Sequence, residues 1–282
     1  RTQTRDASRC TATTSSPSFC CRFPYVDLVF ECSWIKGLVR VFLQLLPLVF
    51  TNKHLISLQV PVQANPVEMM VICPANDVDV AKYSEQRRSL VRETPSVYAS
   101  VTLPFVQALP EAQTAWVRAI LSKEQEADKI LYEDDLGMLL PDTKWTDEDD
   151  LRSMHTLALL KDTAVRSVRD LTGAHLQPLK QLRAGVYAEL LRRYNLRPDQ
   201  VRAYVHYLPS FWMAHIHFAA LTCPRLGMST CTGKAILLDD IIDALERDAS
   251  HFQTSSITYV VGERDDLYAR LVQAGVLVSD AV

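Results

Sequence analysis

The run His206-Tyr-Leu-Pro-Ser-Phe-Trp-Met-Ala-His215-Ile-His217-Phe218 holds the densest chemistry in the chain. Reading residues 212–221 as a strand puts His215 and His217 on one face, with Phe211 and Met213 beside them. Ala214, Ile216 and Phe218 then turn to the core. Two imidazoles at period two can serve as metal ligands, as structural hydrogen-bonding groups, or as a nucleophile with its acid partner. A metal needs a third ligand at a supporting spacing. His206 is the nearest candidate but lies across a Pro-Ser turn, and no Asp, Glu or Cys stands out. All three roles remain open on the residues alone.

Elements must hold that run in place. Residues 1–24, rich in Ser, Thr, Arg and Cys without apolar period, read as a disordered leader. Residues 25–50 are apolar without a clean repeat. A strand is predicted over 67–73 and a helix over 79–92. Thr94-Pro95 supplies an N-cap and a first-turn proline for a short helix to about Leu103. Pro104 and Pro110 bracket a connector, which sets a boundary between a small domain over 25–108 and a larger one over 109–282. A helix from Glu111 carries Trp116, Val117, Ile120 and Leu121 on one face. By pattern alone, Trp116 is a core residue and Glu126, inside a charged run, is a solvated one. Strands follow over 129–132 and 137–140 around an Asp-Asp-Leu-Gly turn, and over 154–160. Thr172 starts a long helix marked by Leu176, Leu179, Leu182, Val186, Leu190 and Tyr194. Strands over 201–208 and 212–221, a helix over 235–245, a strand over 256–261 and a helix over 265–274 complete an α+β chain.

Composition narrows the class. The 282 residues suit one or two domains, and 48% hydrophobic content supplies a core. Thirty Lys and Arg against 33 Asp and Glu give a net charge of −3, which argues against a partner such as long nucleic acid but not against a small nucleotide. Seven cysteines (Cys10, Cys20, Cys21, Cys32, Cys73, Cys223, Cys231) are odd in number and lack CxxC spacing, so a reducing compartment is expected. The apolar run over 38–50 is too short and too interrupted by Arg40, Gln44 and Pro47 to span a membrane, and its position does not suit a signal peptide.

The run from His206 to His217 resembles the histidine-triad motif of the scavenger mRNA-decapping enzyme family. The likeness extends to Val101-Thr-Leu-Pro104, Trp116 with Glu126, the Pro-Asp-Thr-Lys-Trp run at 141–145 and the Ser-Val-Arg-Asp-Leu-Thr run at 167–172, in the family's order. It covers residues 67–271. It implies a histidine-triad-like antiparallel sheet with flanking helices, preceded by a smaller, divergent amino-terminal domain. It also implies hydrolysis of a capped dinucleotide or short capped oligonucleotide, m7GpppN, left by 3′-to-5′ mRNA decay. By the same resemblance His215 is the catalytic nucleophile, forming a phosphohistidine. His217, His206, Ser210 and Lys144 surround the phosphates, and Phe211 and Lys234 sit at substrate-binding positions. Trp116 stacks on the methylated base, Glu126 accepts hydrogen bonds from its edge, and Asp142 with Lys144 contacts the cap. No metal and no cofactor is implied. A homodimer, at work in the cytoplasm, the nucleus or both, is.

Joint recognition by Trp116 and Glu126 adds a constraint. Ten residues of straight helix separate two positions by about 15 Å, so the helix is expected to stop near 122–125. Two departures from the family pattern stand out. Met213 occupies the first histidine position of the triad and cannot donate to phosphate. Phe211 replaces a tyrosine. Weakened turnover is therefore expected, with Met213→His raising it. A cap-binding protein with little catalysis, and a histidine-triad hydrolase of other dinucleoside polyphosphates, are the alternatives.

Overall fold

The structure is a computed structural model that describes residues 18–23, 26–31, 54–62, 65–73 and 86–278, apart from 144, 146, 224, 225, 227 and 228. The chain divides into two compact units, residues 1–86 and 87–282. The break therefore falls before the Pro104–Pro110 connector that marks the expected boundary at 108. The reason is pairing: residues 88–93 belong to a ladder with a strand near the carboxyl end.

In the first unit, β1 (Ser18–Phe23) runs antiparallel to β2 (Val26–Glu31), and β3 (His54–Val62) to β4 (Asn65–Cys73). The strand expected over 67–73 is thus part of β4. β1 falls inside the stretch read as a disordered leader; the rest of that leader, and 32–53, lie outside the described residues.

The second unit is built on a six-stranded antiparallel sheet. Its strands are β6 (Tyr132–Glu133), β7 (Gly137–Pro141), β8 (His155–Leu160), β9 (Val201–His206), β10 (His215–Ala220) and β11 (Ala235–Leu237), in spatial order β11-β9-β10-β8-β7-β6. Alternation along these strands separates two faces. Leu139, Ala158, Leu160, Ala203, Val205, Ile216 and Phe218 enter the main core with Leu179, Leu182, Val186 and Leu190 of a 19-residue helix, Leu176–Tyr194. That helix lies close to the sheet: Tyr187 meets Phe218 edge-on at 5.8 Å, and a Cβ on Gly185 would fall 2.0 Å from the Tyr132 hydroxyl. Because the helix begins at Leu176, Pro178 sits in its first turn, where the absent N–H costs no hydrogen bond. The registers place His155, Leu157 and Leu159 beside His217 and His215 on the opposite face.

Four local expectations change: of the strand expected over 129–132 only Tyr132 is in a strand, β6, and Ala127–Lys129 forms a short 3₁₀ turn. Residues 88–93 are a strand, β5 (Arg88–Glu93), paired antiparallel with β12 (Ile257–Gly262), not the end of a helix over 79–92. Their burial alternates, with Leu90 exposed and Val91 and Glu93 buried, so pairing overrides helix propensity. The rest of that predicted helix, 79–85, is outside the described residues. Helical structure from Pro95 continues past Pro104 to Gln107, because a π turn at Tyr98–Thr102 puts Pro104 at the start of a fresh helical segment. Residues 235–237 add β11 to the sheet edge before helix Leu238–Arg247 begins.

A buried polar network joins β5 to the loop ahead of the long helix. Glu93 receives Arg169 through Nε at 3.0 Å and Nη2 at 2.8 Å, and the hydroxyls of Thr102 and Tyr207 also donate to it. Burial and the neighbouring carboxylates of Asp170 and Glu93 push the Tyr98 hydroxyl up to about 12. Burial and Glu93 likewise raise Tyr207 and Tyr259. A tyrosine raised above its unfolded value of 10.0 contributes stability that is whole below that pH and is lost as pH climbs toward the folded value. The melting temperature is therefore expected to hold to pH 10 and fall steeply between pH 10 and about 12, checked by calorimetry across that range.

Candidate active site

β10 begins at His215, so Phe211 and Met213 lie in the preceding loop and not on the strand, as the sequence suggested. The His215 and His217 rings nevertheless share one face, 5.1 Å apart. His215 is 2% exposed, and its Nδ1 lies 2.7 Å from the carbonyl oxygen of Met213. A carbonyl only accepts, so this nitrogen carries the ring proton and a neutral imidazole keeps its lone pair on Nε2. Phe211 stacks on His215 at 4.1 Å and 14°, and Trp116 meets Phe211 edge-on at 4.9 Å. An aromatic wall thus runs from the indole to the imidazole.

Trp116 is 42% exposed, so the core position suggested by its helical pattern does not hold; Val117 and Ile120 of the same helix take the buried places. That helix, Ala115–Leu121, ends as the joint-recognition constraint required. Ser122 donates to the Arg118 carbonyl and Lys123 to that of Ile120, with Lys123 in the left-handed region at φ 63°. Glu126 is left-handed too, at φ 53°, and pairs with Lys129 at 3.5 Å.

Around His217 the contacts are close. Its ring stacks on Tyr204 at 4.9 Å and 16°, and lies 4.5 Å from that of His206. His206 Nε2 donates to the Ser229 carbonyl at 2.8 Å. On the other side, His217 Nδ1 lies 3.1 Å from His155 Nε2, and Asp142 Oδ2 is 4.0 Å from both nitrogens. Asp142 is fixed there because its N–H extends the β7–β8 pairing to the His155 carbonyl at 2.9 Å. His155 is the functional candidate that the sequence did not single out. Its signal was its place at the head of a predicted strand, but cross-strand register was needed to set it beside His217.

The remaining expected residues divide. Ser210 is exposed in the same loop. Lys234 donates from Nζ to the Leu208 carbonyl at 2.5 Å, and Tyr207 N–H donates to the Lys234 carbonyl, so this lysine clamps the loop that follows β9. Lys144 lies outside the described residues. Met213 is 2% exposed and packs with Val117, Ile120, Met138, Leu140 and Leu159. A histidine there would displace apolar contacts, so the geometry does not support the gain expected from Met213→His. Among the described residues, two groups have ring nitrogens or carboxylate oxygens within 4.8 Å of one another: His206, His215 and His217, and Asp142, His155 and His217. The sequence had offered no convincing third ligand.

The antiparallel sheet of this α+β unit thus presents paired imidazoles, linked through Phe211 to an exposed indole. Residues 115–233 match the family described as scavenger mRNA decapping enzyme C-term binding. The m7GpppX diphosphatase of Bos taurus is 36% identical over 246 residues, 85% of this chain and 70% of its own. That of Ascaris suum is 35% identical over 220 residues, 76% and 71% respectively. Among solved structures, Hnt3 shows 15% identity and a TM-score of 0.34 over 56% of this chain and 92% of its own. The chain belongs to the scavenger mRNA decapping enzyme family.

Proposed function

We propose that the protein hydrolyses the residual m7GpppN cap, releasing m7GMP and a nucleoside diphosphate. The observation that carries this is the 2.7 Å contact between His215 Nδ1 and the Met213 carbonyl, which assigns the ring proton to Nδ1 and leaves the Nε2 lone pair as the nucleophile. That nitrogen attacks the phosphorus bound to 7-methylguanosine and a P–N bond forms. The P–O bond to the leaving diphosphate breaks, and the departing oxygen takes the electron pair, leaving as the diphosphate anion. Water then attacks phosphorus and the P–N bond breaks; the imidazole takes back its electron pair and returns neutral, and the proton lost by the water leaves to solvent. His217, whose ring lies 5.1 Å from that of His215, donates a hydrogen bond to the departing oxygen. Because His215 Nε2 is buried, phosphate reaches it once the side chains around the ring, Phe211 among them, shift. Stacking of the base on Trp116, which packs against Phe211, is the event that favours that movement.

The cationic methylated guanine is attracted to the indole face beyond ordinary stacking. Trp116→Ala is expected to leave stability unchanged, since the ring is half exposed, and to cut discrimination between m7GpppG and GpppG by about tenfold. Steady-state turnover of both substrates by wild type and variant is the test. Equal turnover of the two by the wild type would overturn cap specificity in favour of a general dinucleoside polyphosphate hydrolase. Tight binding of m7GpppG without turnover would instead establish a cap-binding protein. The same proposal takes the protein as a homodimer acting in the cytoplasm, the nucleus or both; a monomer by sedimentation would remove the first part.

A further inference from the structure

We propose that His155 is a positioning residue that holds the proton of His217 on Nε2, the nitrogen away from His155. The facing nitrogens, His155 Nε2 and His217 Nδ1, are 3.1 Å apart in rings tilted by 40°. At that distance one nitrogen must donate and the other accept. If His217 donated, its Nε2 would hold a lone pair and give nothing to phosphate. If His155 donates, His217 carries Nε2–H and is a donor.

The surroundings select the second arrangement. Beyond His217 lie His206 and His215, whose ring nitrogens fall within 4.8 Å of it. The Ser229 carbonyl places the His206 proton on Nε2, and the Met213 carbonyl places the His215 proton on Nδ1. Neutral rings so fixed each retain one lone-pair nitrogen, and a hydrogen on His217 Nε2 complements them where a third lone pair would repel. Asp142, 4.0 Å from both facing nitrogens, adds negative charge that steadies His217 and His155 if either becomes cationic. His155 itself is 1% exposed, so water does not compete for the bond. The Nε2–H of His217 is then ready for the oxygen on which charge develops when the diphosphate leaves. The inference rests on the proposed function for its kinetic consequence, but the proton's position is independent of it.

The test compares wild type with His155→Phe, which has no donor, and His155→Gln, whose amide N–H can donate to the same Nδ1. Histidine 15N chemical shifts report the His217 tautomer without any turnover. Expected are an Nε2–H tautomer in wild type and His155→Gln, and a mixture or the reverse in His155→Phe. With m7GpppG, kcat should fall about tenfold in His155→Phe with KM little changed, and recover to within about threefold in His155→Gln. An unchanged tautomer in a folded His155→Phe would overturn the inference. So would an Nδ1–H tautomer in wild type, or a His155→Gln protein as impaired as His155→Phe at equal melting temperature. If wild type failed to hydrolyse the cap, the nitrogen shifts alone would decide the point.

Discussion

His215→Asn is expected to release no measurable m7GMP from m7GpppG, a loss of at least about a thousandfold, or ~4 kcal/mol of barrier. Asparagine is the informative replacement. Its amide N–H can still donate to the Met213 carbonyl, as Nδ1 does at 2.7 Å, so the turn entering β10 keeps its anchor. The lone pair on Nε2 is what disappears. Melting temperature should therefore stay near wild type while chemistry stops. A phosphohistidine trapped from labelled substrate in wild type, and absent in the variant, would place the covalent bond. Turnover above a tenth of the wild-type rate in His215→Asn would show that water, not this imidazole, attacks phosphorus.

Arg169→Met should produce the largest fall in stability. The guanidinium is 1% exposed and bonds Glu93, which is fully buried. It also donates to the carbonyls of Phe252 at 2.8 Å, Ser255 at 2.7 Å and Glu93 at 3.0 Å. Removing it leaves a buried carboxylate opposed only by hydroxyls, and takes this donor from two buried carbonyls and a half-buried one. Breaking one partner of such a pair costs about 3–5 kcal/mol. For a unit of this size that lowers the melting temperature by roughly 6–20 °C. Glu93→Leu combined with Arg169→Met should cost clearly less than the two single changes added, because the double change strands no charge. Urea melts of all three variants measure the coupling, and a cost under about 1 kcal/mol for Arg169→Met would show that the pair does not hold the unit together. Tyr207, which donates to Glu93, directly follows His206, so the same network reaches the loop that carries Phe211.

The sequence by itself determined the periodic parts. Period two put His215 and His217 on one face and Ile216 and Phe218 on the other, because a strand's geometry allows nothing else. Thr94-Pro95 capped a helix as read, and the stop after Leu121 followed from asking two distant residues to meet one base. Motif order carried the family. Only the tertiary structure decided which strands are neighbours. His155 faces His217 across 62 positions of chain, and Glu93 meets Arg169 across 76. Nothing local in either segment encodes that register, since it is fixed by how the two sheet faces bury their apolar residues together. Trp116 shows the converse. Its helical spacing matched Val117 and Ile120, yet the helix is short and lies at the margin of a small apolar cluster, so one side of its apolar face stays open to solvent.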